Sequence, residues 1–193
     1  MIDGAKVLAL LFACVLTDNL VFSRFFGGLA AHGERPIAAS AVVGAAAALV
    51  LAVSSIVTSA LYFYVLAPFK LAYLNTALSV VIILAVFCLV NVILKEKNPL
   101  RVSEPTPFHG LVALMSAFLG AALLGVQAEN FVYASLTGVF YGAGLFVAVV
   151  VLAGVRERLQ FADAPESLKG LPLSLVSAGL IALALMGFSG FGS

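Results

Sequence analysis

The chain has 193 residues, of which 63% are hydrophobic and 10% are charged, and its formal net charge is +1. Together with a mean hydropathy of +1.18, this composition is typical of an integral membrane protein rather than a soluble domain. Nucleic-acid binding requires concentrated Lys and Arg, whereas the ten basic residues here are scattered among short segments. The composition therefore excludes a nucleic-acid partner.

Six apolar segments are candidates to cross about 30 Å of hydrocarbon, for which a helix needs roughly 20 residues. They are Val7–Phe26, Ile37–Val65, Leu74–Leu94, Leu111–Val126, Phe131–Val155 and Leu171–Phe188. We predict an all-α integral membrane fold, with six transmembrane helices in a single membrane domain that covers residues 1–193.

The basic residues of the connecting segments predict the orientation, because cytoplasmic loops carry an excess of Lys and Arg. Eight basic residues fall on one side, against two on the other. The first group is Arg24, Arg35, Lys95, Lys97, Arg101, Arg156, Arg158 and Lys169, and the second is Lys6 and Lys70. We therefore expect both termini on the outside. The same bias argues against a dimer of two copies in opposite orientations.

The first and fourth segments depart from a regular membrane helix. The first carries Thr17, Asp18 and Asn19 in its interior, and the fourth has only about 16 apolar residues, or about 24 Å of helix. Because each half would hold three helices, the halves enter the membrane in opposite directions, as two inverted repeats at about 5–97 and 108–191. Interrupted helices at matching places in inverted repeats indicate a midplane site, so we expect 17–20 and 116–120 to approach each other there.

The polar group Thr17, Asp18 and Asn19 admits three interpretations. These residue types favour helix ends, so they can cap a half-helix. An acid inside the membrane is also a candidate for an ion or proton path, and it can form an ion pair with another protein chain. A pair with Arg24 is disfavoured on a continuous helix, since six residues rotate the chain by about 600°, and we expect Arg24 to reach the inner interface instead.

No catalytic residue or metal site is predicted for this chain. The two cysteines, Cys14 and Cys88, lie inside apolar segments and form no motif with other ligands. Free cysteine in such a setting behaves as a small hydrophobic residue.

Three motifs nevertheless resemble the Rnf/Nqr membrane subunits, most of all the A subunit of Rnf complexes and the E subunit of Nqr complexes. They are "DNLVFSRFFGG" at 18–28, "NFVYASLTGVFYGAG" at 130–144 and "VRERLQFADAPESLKGLPLSLVSAGLIALALMGFSGF" at 155–191. The resemblance covers nearly the whole chain. It implies a non-catalytic subunit of a redox-driven sodium or proton translocase in the bacterial cytoplasmic (inner) membrane. The implied partners are a homologous subunit of opposite topology and further redox subunits.

The resemblance also implies a [2Fe–2S] cluster held by two cysteines from each partner, but this chain departs from that pattern. The two ligand positions of the family fall on Leu29 and Ser116. Leucine cannot bind iron, and one hydroxyl is a poor substitute for two thiolates. We therefore expect the intersubunit cluster to be absent.

Two functions remain open at this point. The chain is either the ion-conducting subunit of an Rnf/Nqr-like complex without its own cluster ligands, or a cluster-free relative that transports ions or small molecules. A purely structural assembly factor is a third possibility.

Overall fold

The computed structural model describes residues 4–24, 37–97, 114–128, 130–161, 163, 165 and 168–188. Within these residues there are six α-helices and no β-strand. They are α1 (Gly4–Phe12), α2 (Ile37–Leu61), α3 (Asn75–Lys97), α4 (Met115–Gly125), α5 (Phe131–Leu159) and α6 (Leu171–Met186). The predicted all-α class is confirmed, and each helix lies within or beside one of the six predicted segments.

Three helical stretches are long and apolar enough to cross a membrane, namely Ser40–Leu66, Ala72–Val90 and Phe131–Leu159. Shorter apolar helices cover Gly4–Thr17, Met115–Gly125 and Pro172–Met186. The chain is therefore a multi-pass membrane protein. The arrangement of six spans as inverted repeats stays a prediction, as do the positions of the termini.

Helices α2 and α5 form the centre of the fold, and small residues let their backbones come close. A Cβ atom on Gly142 of α5 would lie 3.0 Å from the carbonyl oxygen of Ala48 in α2. One turn earlier, Gly138 sits directly against the side chain of Ser55. Such close contacts between small residues are a main source of helix association in membranes, where burial of apolar surface adds little.

The buried core lies where α2 and α5 meet α3, α4 and the segment that follows α1. Val50 and Leu51 of α2, Phe118 of α4 and Leu145 of α5 are fully buried. Outer surfaces of the long helices carry large apolar side chains, as lipid-facing surfaces do; Val81 of α3, for example, is 64% exposed. This core positions the end of α1 against the middle of α5.

Candidate functional site

The first helix ends in the interior of its apolar segment. After Phe12 the helix widens into one π-helical turn, Ala13–Thr17, whose closing bond runs from the amide of Asp18 to the carbonyl of Ala13 at 2.7 Å. Asp18 then leaves helical geometry, with φ −109° and ψ 41°. The predicted interruption at Thr17–Asn19 is therefore present, and single π-turns of this kind are frequent at functional sites.

Asn19 connects this break to α5. Its side-chain Nδ2 donates to the carbonyl of Val15 and to the carbonyl of Gly144, both at 2.9 Å. Its Oδ1 accepts from the amide of Val21 at 3.0 Å. Because the residue is 1% exposed, these bonds replace the water that a broken backbone would otherwise need.

Gly144 permits that contact by having no side chain. A Cβ atom there would lie 2.6 Å from the carbonyl oxygen of Cys14 and 3.3 Å from Nδ2 of Asn19. Gly144 lies near the middle of the 29-residue helix α5. If α5 spans the bilayer, the break in the first helix lies close to the midplane.

The carboxylate of Asp18 accepts three hydrogen bonds beside this junction. Arg24 donates from Nε to Oδ1 at 3.0 Å and from Nη2 to Oδ2 at 3.2 Å. Tyr141 of α5 donates its hydroxyl to Oδ2 at 2.7 Å. The two Arg24 bonds form a bidentate pair, which is the stronger geometry for a guanidinium and a carboxylate.

The expectation that Arg24 does not pair with Asp18 is therefore wrong. It assumed a continuous helix, in which six residues place the two side chains on different faces. The helix instead ends at Thr17, and the chain turns tightly, with the amide of Ser23 bonded to the carbonyl of Asn19 at 2.9 Å. This turn brings Arg24 back onto Asp18.

The ion pair is open on one side. Arg24 is 40% exposed and Asp18 is 35% exposed, although both lie beside the middle of a membrane-length helix. A carboxylate offers about four lone-pair positions, and three are used here. A role of this ion pair in ion movement stays a prediction.

The other predicted residues have different surroundings. Thr17 donates to the carbonyl of Ala13, at 3.3 Å. Ser116 is an exposed residue of α4, and Leu29 lies outside the described residues. The expected approach of 116–120 to the break stays a prediction, although Leu20 and Ala117 belong to the same buried core.

Neither cysteine belongs to a cluster of possible metal ligands within the described residues. Cys14 is buried in the core and Cys88 is exposed on α3, and both are free thiols. Among the residues that the structure describes, no three His, Cys, Asp or Glu side chains come together. The two positions that the resemblance assigns to cluster ligands, Leu29 and Ser116, hold a hydrocarbon and a hydroxyl side chain, which are poor ligands for iron, and the absence of the cluster stays a prediction.

Sequence reasoning missed a second polar region, on α2. Ser55, Thr58 and Ser59 are at most 2% exposed, and their hydroxyls have no hydrogen-bond partner within the described part of the chain. Their spacing places them on one helix face. The string "SSIVTS" carries the signal, but hydropathy predicts it only as part of an apolar span.

Comparisons with known proteins agree with these features. The family described as "Rnf-Nqr subunit, membrane protein" matches residues 7–192. The A subunit of a Na⁺-translocating ferredoxin:NAD⁺ oxidoreductase complex from Acetobacterium woodii is 35% identical, over 94% of this chain and 95% of that protein. The A subunit of a proton-translocating ferredoxin:NAD⁺ oxidoreductase complex from Clostridium ljungdahlii is 32% identical, over 96% of this chain and 97% of that protein.

Both relatives match over nearly their full length, and the family match includes the broken first helix, α5 and the segment that follows it. The resemblance inferred from the three motifs is confirmed. The chain belongs to the Rnf-Nqr subunit family of membrane proteins.

Proposed function

We propose that this chain is a membrane-integral subunit of an ion-translocating electron-transport complex of the Rnf/Nqr type. Its similarity to the A subunits of Na⁺- and H⁺-translocating oxidoreductase complexes supports this proposal. In this role the chain performs no catalytic chemistry of its own. It provides a polar position inside the membrane, through which ion movement is coupled to electron transfer in other subunits.

The observation that carries the proposal is the partly exposed ion pair at the broken helix. Lipid cannot satisfy a charged pair or a broken backbone at that depth. The open side of Asp18 and Arg24 must therefore face water or another protein. A water-filled cavity or a protein contact at this position is what an ion-translocating complex requires.

The positions of the short helices and of the basic residues support a proposal for the partner and the topology. We propose two inverted repeats, termini outside the bacterial cytoplasmic membrane, and a homologous partner of opposite topology whose surface covers the break. The short helices α1 and α4, three segments apart, and the asymmetric distribution of Lys and Arg support this arrangement. A carboxyl-terminal reporter that is active only in the cytoplasm would contradict the orientation.

We further propose that this chain contributes no ligand to an iron–sulfur cluster. The purified chain should contain no stoichiometric iron or labile sulfide. Replacing both family positions, Leu29→Cys and Ser116→Cys, should produce iron binding only when a partner supplies two further thiolates. Iron that persists in the unmodified chain after Cys14→Ala and Cys88→Ala would show that other ligands exist.

The missing cluster ligands also favour one alternative, a cluster-free relative that transports ions or small molecules without redox partners. Affinity purification of the full chain from its native membrane distinguishes the two functions. Recovery of flavin- and iron-containing subunits, together with electron transfer that drives cation uptake, is the expected result. A chain that is recovered without redox subunits, and whose deletion leaves electron transfer unchanged, would support the alternative.

A further inference from the structure

Four of the five tyrosines of the chain lie at one end of the pair of helices α2 and α5, and the chain has no tryptophan. They are Tyr62 and Tyr64, just after α2, Tyr73, just before α3, and Tyr133, in the first turn of α5. The ring centroids of Tyr64 and Phe131 are 5.6 Å apart, so the end of α2 and the start of α5 meet. We call residues 62–74 and 131–133 the tyrosine end.

Both long helices extend beyond the hydrocarbon of a bilayer. The apolar stretches Ser40–Leu66 and Phe131–Leu159 have 27 and 29 residues, which corresponds to about 40 Å of helix or more, against a hydrocarbon core of about 30 Å. Their ends therefore reach the headgroup region, where tyrosine is enriched because its ring is apolar and its hydroxyl polar. Tyr64, Phe69 and Tyr73 are 69%, 70% and 76% exposed, so their rings are open to lipid.

Lys70 occupies an unusual backbone position within the tyrosine end. The amide of Leu71 donates to the carbonyl of Leu66 at 2.9 Å, and the amide of Lys70 donates to the carbonyl of Ala67 at 3.2 Å. These two bonds form a Schellman motif, in which the left-handed residue is usually glycine. Here that residue is Lys70, with φ 58°, and among the described residues no other residue except glycine has a positive φ.

The left-handed conformation is unfavourable for a residue with a side chain. A lysine can interact with the helix dipole from any position of the last turn, so the dipole does not explain a lysine at this one. Lys70 is exposed, and it is the only charged residue between positions 40 and 94. Its ammonium group is therefore a single positive charge among tyrosines at headgroup depth.

We propose that Lys70, together with the tyrosines of the tyrosine end, binds the phosphate of an anionic phospholipid and anchors the end of α2 in the headgroup region. An ammonium group offers three N–H donors to phosphate oxygens, and a negatively charged lipid surface attracts it further. A zwitterionic lipid has a cation of its own beside the phosphate and should bind less well. The inference goes beyond the proposed function, because it requires only that the chain lies in a membrane.

The test is the quenching of tyrosine fluorescence in the purified full chain, reconstituted in phosphatidylcholine nanodiscs. Because the chain has no tryptophan, its intrinsic fluorescence comes mainly from the tyrosine end. Phosphatidylglycerol or phosphatidylcholine, each brominated on its acyl chains as a short-range quencher, is added at low mole fraction. We expect half-maximal quenching at an about fivefold lower mole fraction of the brominated phosphatidylglycerol, which is the effect of one lysine near an anionic surface.

Variants assign this preference to Lys70. Lys70→Gln removes the charge and should make the two brominated lipids equal, whereas Lys70→Arg should keep the preference. Lys169→Gln, which removes an exposed lysine outside the tyrosine end, is the matched control and should behave as the wild type does.

Lys70→Gly separates lipid binding from folding. Glycine suits the left-handed position but provides no charge. This variant should lose the preference for phosphatidylglycerol and yet unfold, in phosphatidylcholine nanodiscs, at a temperature no lower than that of the wild type.

Equal quenching of the wild type by the two brominated lipids would overturn the proposal. A preference that persists in Lys70→Gln would overturn it as well, since another group would then bind the headgroup. Quenching by neither lipid would show that the tyrosine end is covered by a second copy of the chain or lies in water, which also contradicts the proposal. None of these outcomes affects the proposed function, which is tested by the redox subunits that purify with the chain.

Discussion

Helix α5 takes part in two polar regions, and these regions accommodate their polar groups in different ways. At Tyr141 and Gly144 it meets the broken first helix, where a partly exposed ion pair and the buried amide of Asn19 are hydrogen-bonded. At Gly138 it meets α2, where the hydroxyls of Ser55, Thr58 and Ser59 are buried and have no hydrogen-bond partner within the described residues.

The difference follows from what each group costs to bury. An unpaired charge in a low-dielectric interior is so unfavourable that it persists only with a counter-ion and hydrogen bonds. An unpaired hydroxyl costs only about 1–3 kcal/mol, which a tightly packed pair of helices can offset. The charged region is therefore held by internal bonds, whereas the buried hydroxyls of α2 persist without a hydrogen-bond partner within the described residues.

The largest effect is expected for Gly144→Ala. Its Cβ would press on the carbonyl of Cys14, a backbone atom that cannot move without disturbing the break. We expect a loss of about 3 kcal/mol in the free energy of unfolding. On the same helix, Gly154→Ala has open space and should be neutral or stabilising by about 0.5–1 kcal/mol. Equal midpoints for the two variants would contradict the close contact.

Asn19→Leu should have the next largest effect. The substitution preserves volume but leaves the carbonyls of Val15 and Gly144 and the amide of Val21 without their partner. A loss of about 2 kcal/mol is expected from these buried groups. Thr17→Val, which removes a single long bond in the same turn, should cost less than half as much. Equal denaturation midpoints for the two variants would contradict this ranking.

Tyr141→Phe is expected to have a moderate effect. The ring stays in place, but Asp18 loses one donor and keeps its two bonds to Arg24. About 1 kcal/mol of stability should be lost. Tyr133→Phe, on the same helix but outside the site, is the control. If both variants match the wild type in thermal unfolding, the hydroxyl of Tyr141 does not hold the carboxylate.

Thr58→Val should have the smallest effect, and its sign separates the two regions. Thr58 is 2% exposed, and its hydroxyl has no partner within the described residues. Valine has the same shape without the buried oxygen, so we expect no change, or a gain of about 1 kcal/mol. A loss comparable to that of Asn19→Leu would mean that the α2 hydroxyls are bonded after all.

Local polarity made the break predictable, because Thr17, Asp18 and Asn19 interrupt an apolar segment and favour helix ends. The partners of these residues were not predictable in the same way. Tyr141 and Gly144 are more than a hundred residues away, and only the packing of α5 against the break brings them together.

Two errors of interpretation have simple causes. The geometry of a regular helix was applied to Arg24 across a break, where it does not hold. The hydroxyls at 55, 58 and 59 were counted as part of an apolar span, since a hydropathy pattern does not reveal whether a serine bonds to its own helix. The roles of Thr17, Asp18 and Asn19 in ion movement stay predictions.

The central claim is that ion movement is coupled to electron transfer at the Asp18 site. It is tested most directly by the number of cations taken up per electron transferred in inverted membrane vesicles. Asp18→Asn keeps the shape of the site and removes its charge, while Asp163→Asn changes an exposed acid beyond α5. We predict a several-fold lower ratio for Asp18→Asn and an unchanged ratio for Asp163→Asn. Wild-type ratios in both variants, at equal rates of electron transfer, would contradict the account.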